Sequence, residues 1–281
     1  MTQPTRKILL IGKPGTSKTT FIDQFYGLVE LDLSCAKLRQ MPESIAAIER
    51  GRSRLAQGQE VGATPSQETA LINLQLLAND VPFDLDLLDY GGEQVRDIID
   101  DRRLPAHWHK LANECDTWLL FLRIHDAPEP ADASTRPVTE ALTTEMESAD
   151  QQSVAANNEP LHLNEAVSLI ELLQILLAAR NTGYQQRITT PRLKLVVSLW
   201  DMLHSVDTPE TELRRRHPLL VEFMHSNWAT GACSVWGLSP QGFALDTPEN
   251  VQKYLQNGSE EYARVILPDG KSENDLALLL L

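Results

Sequence analysis

Apolar residues recur along the chain in six short runs that are separated by stretches with helical character. The runs cover residues 8–11, 70–76, 83–89, 118–122, 193–199 and 232–236. Runs of this length are typical of β-strands, and strands that alternate with helices favour a parallel sheet. We therefore predict an α/β fold, with a doubly wound, mostly parallel six-stranded sheet, helices on both faces and a single domain over residues 1–281.

Three connections between the runs carry further predictions. The turn at residues 79–82 predicts a hairpin, which would make the second strand antiparallel. Residues 42–58 predict a helical insertion. Residues 126–160 hold eight acidic residues and one basic residue, which predicts a flexible surface loop because so polar a segment buries little apolar surface. The apolar stretch 163–181 predicts a helix packed on the sheet.

Charge and cysteine content limit the partners and the compartment. The formal net charge of −14 argues against binding to nucleic acid or to anionic lipid, and three scattered cysteines suggest reduced thiols in a cytoplasm. No signal peptide or membrane span is expected. We expect residues 276–281 to dock as a final turn on this domain or on a partner.

The first apolar run leads into a glycine-bounded loop that ends in Lys-Thr. The loop comprises Gly12, Lys13, Pro14, Gly15, Thr16, Ser17, Lys18, Thr19 and Thr20. This layout is typical of a phosphate-binding loop, where backbone N–H groups and a helix N-terminus surround a polyphosphate. Lys18 would reach the β- and γ-phosphates, and Thr19 would offer its hydroxyl to Mg²⁺.

The loop departs from the usual G-x-x-x-x-G-K-[ST] pattern at one position. Ser17 stands where the second glycine belongs. A serine adopts left-handed backbone conformations only at a cost that glycine does not have. We expect this to lower the affinity for phosphate, and the alternative of an ordinary Gly/Ser-rich turn stays open.

A carboxylate ends the third run. Asp89-Tyr90-Gly91-Gly92 resembles the D-x-x-G element of the Ras-like and translation-factor class of P-loop GTPases. The resemblance implies that Asp89 holds Mg²⁺ through a water molecule. It also implies that Gly91 and Gly92 lie at the nucleotide, with the Gly92 N–H touching the γ-phosphate.

Two further roles follow from this resemblance. The first switch of the class carries a threonine before the second strand, which implies Thr64 as a metal-binding and catalytic residue, with Thr69 and plain turn chemistry as alternatives. Glu93 stands where Ras-like proteins have the glutamine that orients the attacking water, and Gln94 follows. A glutamate cannot also donate to the γ-phosphate, so we predict slow hydrolysis, oriented by Glu93 or Gln94.

The base-recognition elements are more divergent. Ser198-Leu199-Trp200-Asp201 stands where the class has [NT]-K-x-D. The resemblance implies that Asp201 reads guanine, since a carboxylate accepts from both N1–H and the 2-amino group. Asp201 as a helix cap and Trp200 as a core residue are the alternatives.

A second base-recognition element follows the sixth run. Ser234-Val235-Trp236 stands in for the S-A-K element, whose backbone N–H reads guanine O6. Trp236 could stack on the base, and core packing is the alternative.

The full set of elements resembles a divergent P-loop GTPase over most of the chain. The altered S-L-W-D element and the insertions resemble the bacterial double-GTPase group of conflict and defence clusters, which implies a second GTPase and an effector as partners. We expect Mg²⁺-dependent binding of GTP and GDP and slow hydrolysis in a molecular switch. A nucleotide-binding or nucleotide-free scaffold and a P-loop ATPase are the alternatives.

Overall fold

The computed structural model describes residues 6–42, 46–59, 70–78, 81–89, 93–124, 165–183 and 185–281. In this part of the chain, nine strands form one sheet in the order β2-β3-β4-β1-β5-β6-β7-β8-β9. The strands are β1 Arg6–Gly12, β2 Ala36–Leu38, β3 Ala70–Ala78, β4 Val81–Asp89, β5 Thr117–Arg123, β6 Arg192–Ser198, β7 Cys233–Ser239, β8 Arg264–Ile266 and β9 Ser272–Glu273. The helices are α1 Lys18–Glu30, α2 Ala46–Ala56, α3 Glu93–Asp101, α4 Ala106–Glu114, α5 Glu165–Ala179, α6 Pro209–Arg216, α7 Pro218–Asn227 and α8 Pro248–Asn257.

The predicted α/β class and the doubly wound sheet are confirmed. The central strands β4, β1, β5, β6 and β7 are mutually parallel. The hairpin is also confirmed, because Ala78 pairs with Val81 in an antiparallel β3–β4 ladder. The predicted number of six strands is wrong, since the short strands β2, β8 and β9 extend the sheet at both sides.

Side chains from alternate positions of the strands feed two hydrophobic cores. Leu9 and Ile11 of β1 lie in a core that is covered by α3, α4, α5, α6 and α7. Ile8 and Leu10 point to the other face, where α1, α2 and the C-terminal turn pack. A strand that is buried on both faces needs a continuous apolar run, so a strand such as β1 can be predicted from the sequence.

The predicted connections have different outcomes. Helix α2 lies inside the expected insertion, and α5 lies inside the expected apolar helix and packs in the first core. Residues 126–160 lie outside the described residues. The three cysteines are free thiols. The described helices include none that is both long and apolar enough to cross a bilayer.

The C-terminal residues dock on this chain. Docking on this domain was one of the two alternatives that the sequence left open for residues 276–281. A short 3-10 turn at Leu276–Leu279 is buried in the second core. Arg6 Nη1 donates to the Leu281 carbonyl oxygen at 2.8 Å, and Lys194 Nζ donates to that of Leu279 at 3.0 Å.

Candidate functional site

The candidate phosphate loop lies at the point where the strand order of the sheet reverses. Strand β1 is flanked by β4 and β5, and the chain leaves its carboxyl end to form residues 13–17 before α1 begins at Lys18. Ligands of open α/β sheets bind in the crevice at such a switch point. The topology therefore places the loop where a nucleotide is expected.

Close packing against β5 fixes the start of the loop. A Cβ atom added to Gly12 would lie 2.7 Å from Thr16 Oγ1 and 2.9 Å from the Phe121 carbonyl oxygen. Thr16 Oγ1 also donates to the Lys13 carbonyl oxygen at 2.8 Å. Because only glycine fits this approach, Gly12 allows the loop to turn tightly over the end of β5.

The Lys18 ammonium lies within the curve of the loop. Its Nζ donates to the carbonyl oxygen of Gly12 at 2.5 Å and to that of Lys13 at 2.8 Å. Ser17, the residue before it, has φ 63° and ψ 21°, a left-handed conformation. The serine thus adopts the backbone geometry for which glycine was expected, and the loop keeps its shape despite the substitution.

Lys13 is committed to a different partner. Its Nζ forms an ion pair with Glu165 Oε2 at 2.6 Å, and both side chains are partly buried. Glu165 is the first residue of α5. The pair therefore joins the phosphate loop to the helix that follows the acidic segment, and it neutralises the Lys13 charge.

The expected magnesium ligands have mixed outcomes. Thr19 and Thr20 lie in the first turn of α1. Leu9 of β1 lies opposite Asp86 of β4, and both strands continue for three residues, to Gly12 and Asp89. The backbone of Asp89 thus ends beside the phosphate loop. Thr64, Gly91 and Gly92 lie outside the described residues.

The two candidate water-orienting residues open α3. Gln94 Oε1 accepts from Trp108 Nε1 at 3.2 Å and lies 3.4 Å from His107 Nε2. Glu93 Oε2 is buried and has no hydrogen-bond partner among the described residues. Gln94 therefore joins α3 to α4, whereas Glu93 keeps acceptor capacity for a ligand or water.

The turn that carries Asp201 follows β6. Ser198 Oγ donates to the Leu122 carbonyl oxygen at 3.1 Å, which ties the ends of β6 and β5 together. Leu199 has φ 54° and starts a 3-10 turn at Trp200–Leu203. Asp201 Oδ1 accepts from Ser239 Oγ at 2.6 Å, so a buried serine at the end of β7 orients the carboxylate.

The structure does not bring Ser234, Val235 and Trp236 to this site. Val196 lies opposite Trp236 and Ser198 opposite Leu238, so the three residues lie in the first half of β7, away from its carboxyl end. Trp236 Nε1 instead donates to Ser234 Oγ at 2.8 Å. Ser239 occupies the place expected for them, because β7 continues three residues beyond the apolar run.

With this geometry in place, comparison with known proteins identifies the family. The model of the family described as Double-GTPase 1 matches residues 9–281. The chain belongs to the Double-GTPase 1 family. This confirms the expected divergent P-loop GTPase.

The other comparisons add little to the family match. The small GTPase Arl6 (BBS3) from Trypanosoma brucei, solved with the nucleotide analogue GppNp, is similar at 10% sequence identity and a TM-score of 0.41. The alignment covers 92% of this chain and 99% of that one. No curated protein matches.

In this Double-GTPase 1 chain, the Asp201–Ser239 pair borders a cavity of about 310 Å³. Its walls also include Trp200, Tyr262 and Arg264. This volume is at the lower end of the range for small-molecule sites. The cavity extends from the Asp201 turn to the β8–β9 hairpin, so the extra strands contribute to its wall.

A magnesium ion in this Double-GTPase 1 chain would have to be held mainly by phosphate. No group of three or more His, Cys, Asp or Glu residues lies close enough to hold a metal in the described part of the chain. Mg²⁺ in nucleotide sites needs only one or two protein ligands besides phosphate oxygens and water. Thr19 lies at the start of α1 and the backbone of Asp89 at the end of β4, and the two residues stay the predicted ligands.

Proposed function

We propose that this protein binds Mg²⁺ with GTP or GDP at the carboxyl ends of β1, β4, β6 and β7 and hydrolyses GTP slowly as a molecular switch. The single observation that carries the proposal is the closed loop around Lys18 Nζ. Two carbonyl oxygens accept hydrogen bonds from the ammonium there. Phosphate oxygens would be stronger acceptors for it, because they are charged.

Asp201 supports guanine as the base. A carboxylate that faces guanine accepts from N1–H and from the 2-amino group, whereas adenine offers no such pair. The hydrogen bond from Ser239 Oγ fixes Asp201 in one orientation before a ligand binds. Pre-ordering of this kind lowers the entropy that binding would otherwise cost.

Slow hydrolysis follows from the chemistry of Glu93. Phosphoryl transfer depends on positioning and on neutralising charge at the phosphates, which Lys18 and the metal would supply. Glu93 can accept a proton from the attacking water, but its carboxylate also repels the γ-phosphate. We therefore expect switching to dominate over turnover.

The protein acts with protein partners. The family is described as a double GTPase, which supports a second GTPase as a partner. A bacterial defence system is our extension of this proposal and rests on the sequence resemblance alone.

An exchange of base preference tests the proposal. Asp201→Asn would place an amide donor against a guanine donor, and such a mismatch costs about 1–3 kcal/mol. Xanthine carries an oxygen in place of the 2-amino group and suits the amide. In competitive binding we expect the wild type to prefer GTP and the variant to prefer xanthosine triphosphate.

Two outcomes of this competition would contradict the proposal. Equal affinity of the wild type for ATP and GTP would favour a P-loop ATPase. The absence of binding of any triphosphate would favour a scaffold. Ser234→Ala is the matched control, because it alters a residue of β7 that lies away from the site and should leave the base preference unchanged.

A further inference from the structure

A third cation stands beside the phosphate loop, in addition to Lys13 and Lys18. Strand β5 ends at Arg123. A Cβ atom added to Gly15 would lie 3.5 Å from Arg123 Nη1. Gly15 has φ +73° and is exposed, so the guanidinium lies close to an exposed turn of the loop.

The end of β5 is held firmly in this position. Arg123 lies opposite Ser198 in the parallel β5–β6 register. The next residue, Ile124, is fully buried, and its carbonyl oxygen accepts from Arg216 Nη1 at 3.2 Å. The backbone that carries Arg123 is therefore fixed between the phosphate loop and the turn that holds Asp201.

The other positive charges near the loop do not balance the negative charge of a bound triphosphate. Lys13 is neutralised by Glu165 at 2.6 Å, which leaves Lys18 as the loop's own lysine for the phosphates. The turn after β6 starts with Leu199 and brings no cation of its own. A triphosphate carries more negative charge than one ammonium balances, and a guanidinium binds phosphate oxygens through two parallel N–H donors.

We propose that Arg123 is a further nucleotide-binding residue, whose guanidinium contacts the phosphates from the β5 side of the loop. This inference rests on the proposed function, since it adds a residue to the same site. It predicts that binding depends on Arg123 in proportion to the number of phosphates on the ligand.

The test compares Arg123→Gln and Arg123→Lys with a matched control. Arg192→Gln removes the same charge from the opposite end of β6, at an exposed position. Affinities are measured for Mg²⁺·GTP, GDP, GMP and guanosine. We expect Arg123→Gln to weaken GTP binding by about 10- to 100-fold, to weaken GDP and GMP binding progressively less and to leave guanosine unchanged. Arg123→Lys should restore part of the loss, and Arg192→Gln should have no effect.

Each remaining outcome overturns the inference in a distinguishable way. Wild-type affinity in Arg123→Gln would refute it, and would leave the proposed function intact if Lys18→Ala abolishes binding in the same assay. An equal loss for GTP and guanosine would show that Arg123 only supports the fold. If the wild type binds no guanine nucleotide at all, the proposed function fails and this inference fails with it.

Discussion

Cations gather at both edges of the central sheet, yet the two groups have different surroundings. At the carboxyl edge, Lys18 and Arg123 lie at a loop whose backbone turns into the N-terminus of α1. At the amino edge, Arg6, Arg192 and Lys194 line a cavity of about 200 Å³. The number of positive charges is similar, so charge alone does not distinguish the two edges.

The partners of the cations make the difference. At the amino edge, carbonyl oxygens of the C-terminal turn already accept from Arg6 and Lys194. Lys194 is only 9% exposed. Burial, followed by the charges of Arg192 and Arg6, lowers its pKa to about 8. These cations hold the end of the chain, whereas the carboxyl edge adds backbone N–H donors and a helix N-terminus, which are the features of the phosphate site that we propose there.

The largest expected effect is on nucleotide affinity, when one lysine at each edge is substituted in turn. Lys18→Ala removes charge-assisted hydrogen bonds to phosphate, so the affinity for Mg²⁺·GTP should fall by about 100-fold or more. Lys194→Met should leave it unchanged. The rise in melting temperature with added nucleotide reports binding to the native state. A full rise in Lys18→Ala would break the comparison.

The second expected effect is a dependence of stability on pH that arises from Lys194 at the amino edge. The folded pKa of Lys194, about 8, lies below its ordinary value of 10.5, so between these values the unfolded chain binds more protons and stability rises with pH. The gain is at most about 3 kcal/mol. Denaturant unfolding at pH 7.5 to 10.5 should show this rise in the wild type, and Lys194→Met should lack that part of it. Identical slopes in both proteins would contradict the burial of a charged lysine.

A smaller effect is expected at Ser17. Its left-handed backbone conformation costs a non-glycine residue about 1–2 kcal/mol. A glycine would avoid this strain, but it loses more conformational entropy on folding, which offsets about 0.5–1 kcal/mol of the gain. Ser17→Gly should therefore raise the free energy of unfolding by about 0.5–1 kcal/mol. Ser17→Ala is the control, since it keeps the Cβ atom and should not be stabilising. A loss of stability in Ser17→Gly would mean that the loop has another conformation.

The smallest change in nucleotide chemistry is expected at the start of α3. Glu93→Gln should raise the rate of single-turnover phosphate release by a few fold, because the amide can orient water without repelling phosphate. Gln94→Ala should leave that rate unchanged and cost about 1 kcal/mol of stability through the lost bond from Trp108. A collapse of turnover in Gln94→Ala would make Gln94 the water-orienting residue.

The strands that sequence could predict are either buried on both faces or alternate between apolar and polar residues. Residues 118–122 read as apolar throughout because both cores pack on them. By contrast, β2 is Ala-Lys-Leu and β9 is Ser-Glu. Such short edge strands have no periodicity of their own, and only pairing with a neighbour defines them.

The candidate site also has a part that the sequence could predict and a part that it could not. The strand, loop and helix around Lys18 follow one another in sequence, so their order could be predicted from the sequence, and so could the departure at Ser17. Ser239 was missed because Gly237 looked like the end of the strand, whereas a Cβ atom there would lie 2.8 Å from Trp200 Cε3. The glycine makes room for this ring. Arg123 was missed because its proximity to Gly15 depends on how β1 and β5 pair, which no local pattern shows.

The most direct test of the account is to identify the nucleotide that the protein binds. Wild-type protein is purified, denatured by heat, and the released nucleotide is determined by mass spectrometry. Stripped protein is then titrated with labelled GTP in the presence of Mg²⁺ and unlabelled ATP or GTP as competitor. The account predicts GDP or GTP in the released fraction and displacement by GTP but not by ATP. Release of adenine nucleotide, or equal displacement by ATP, would contradict it.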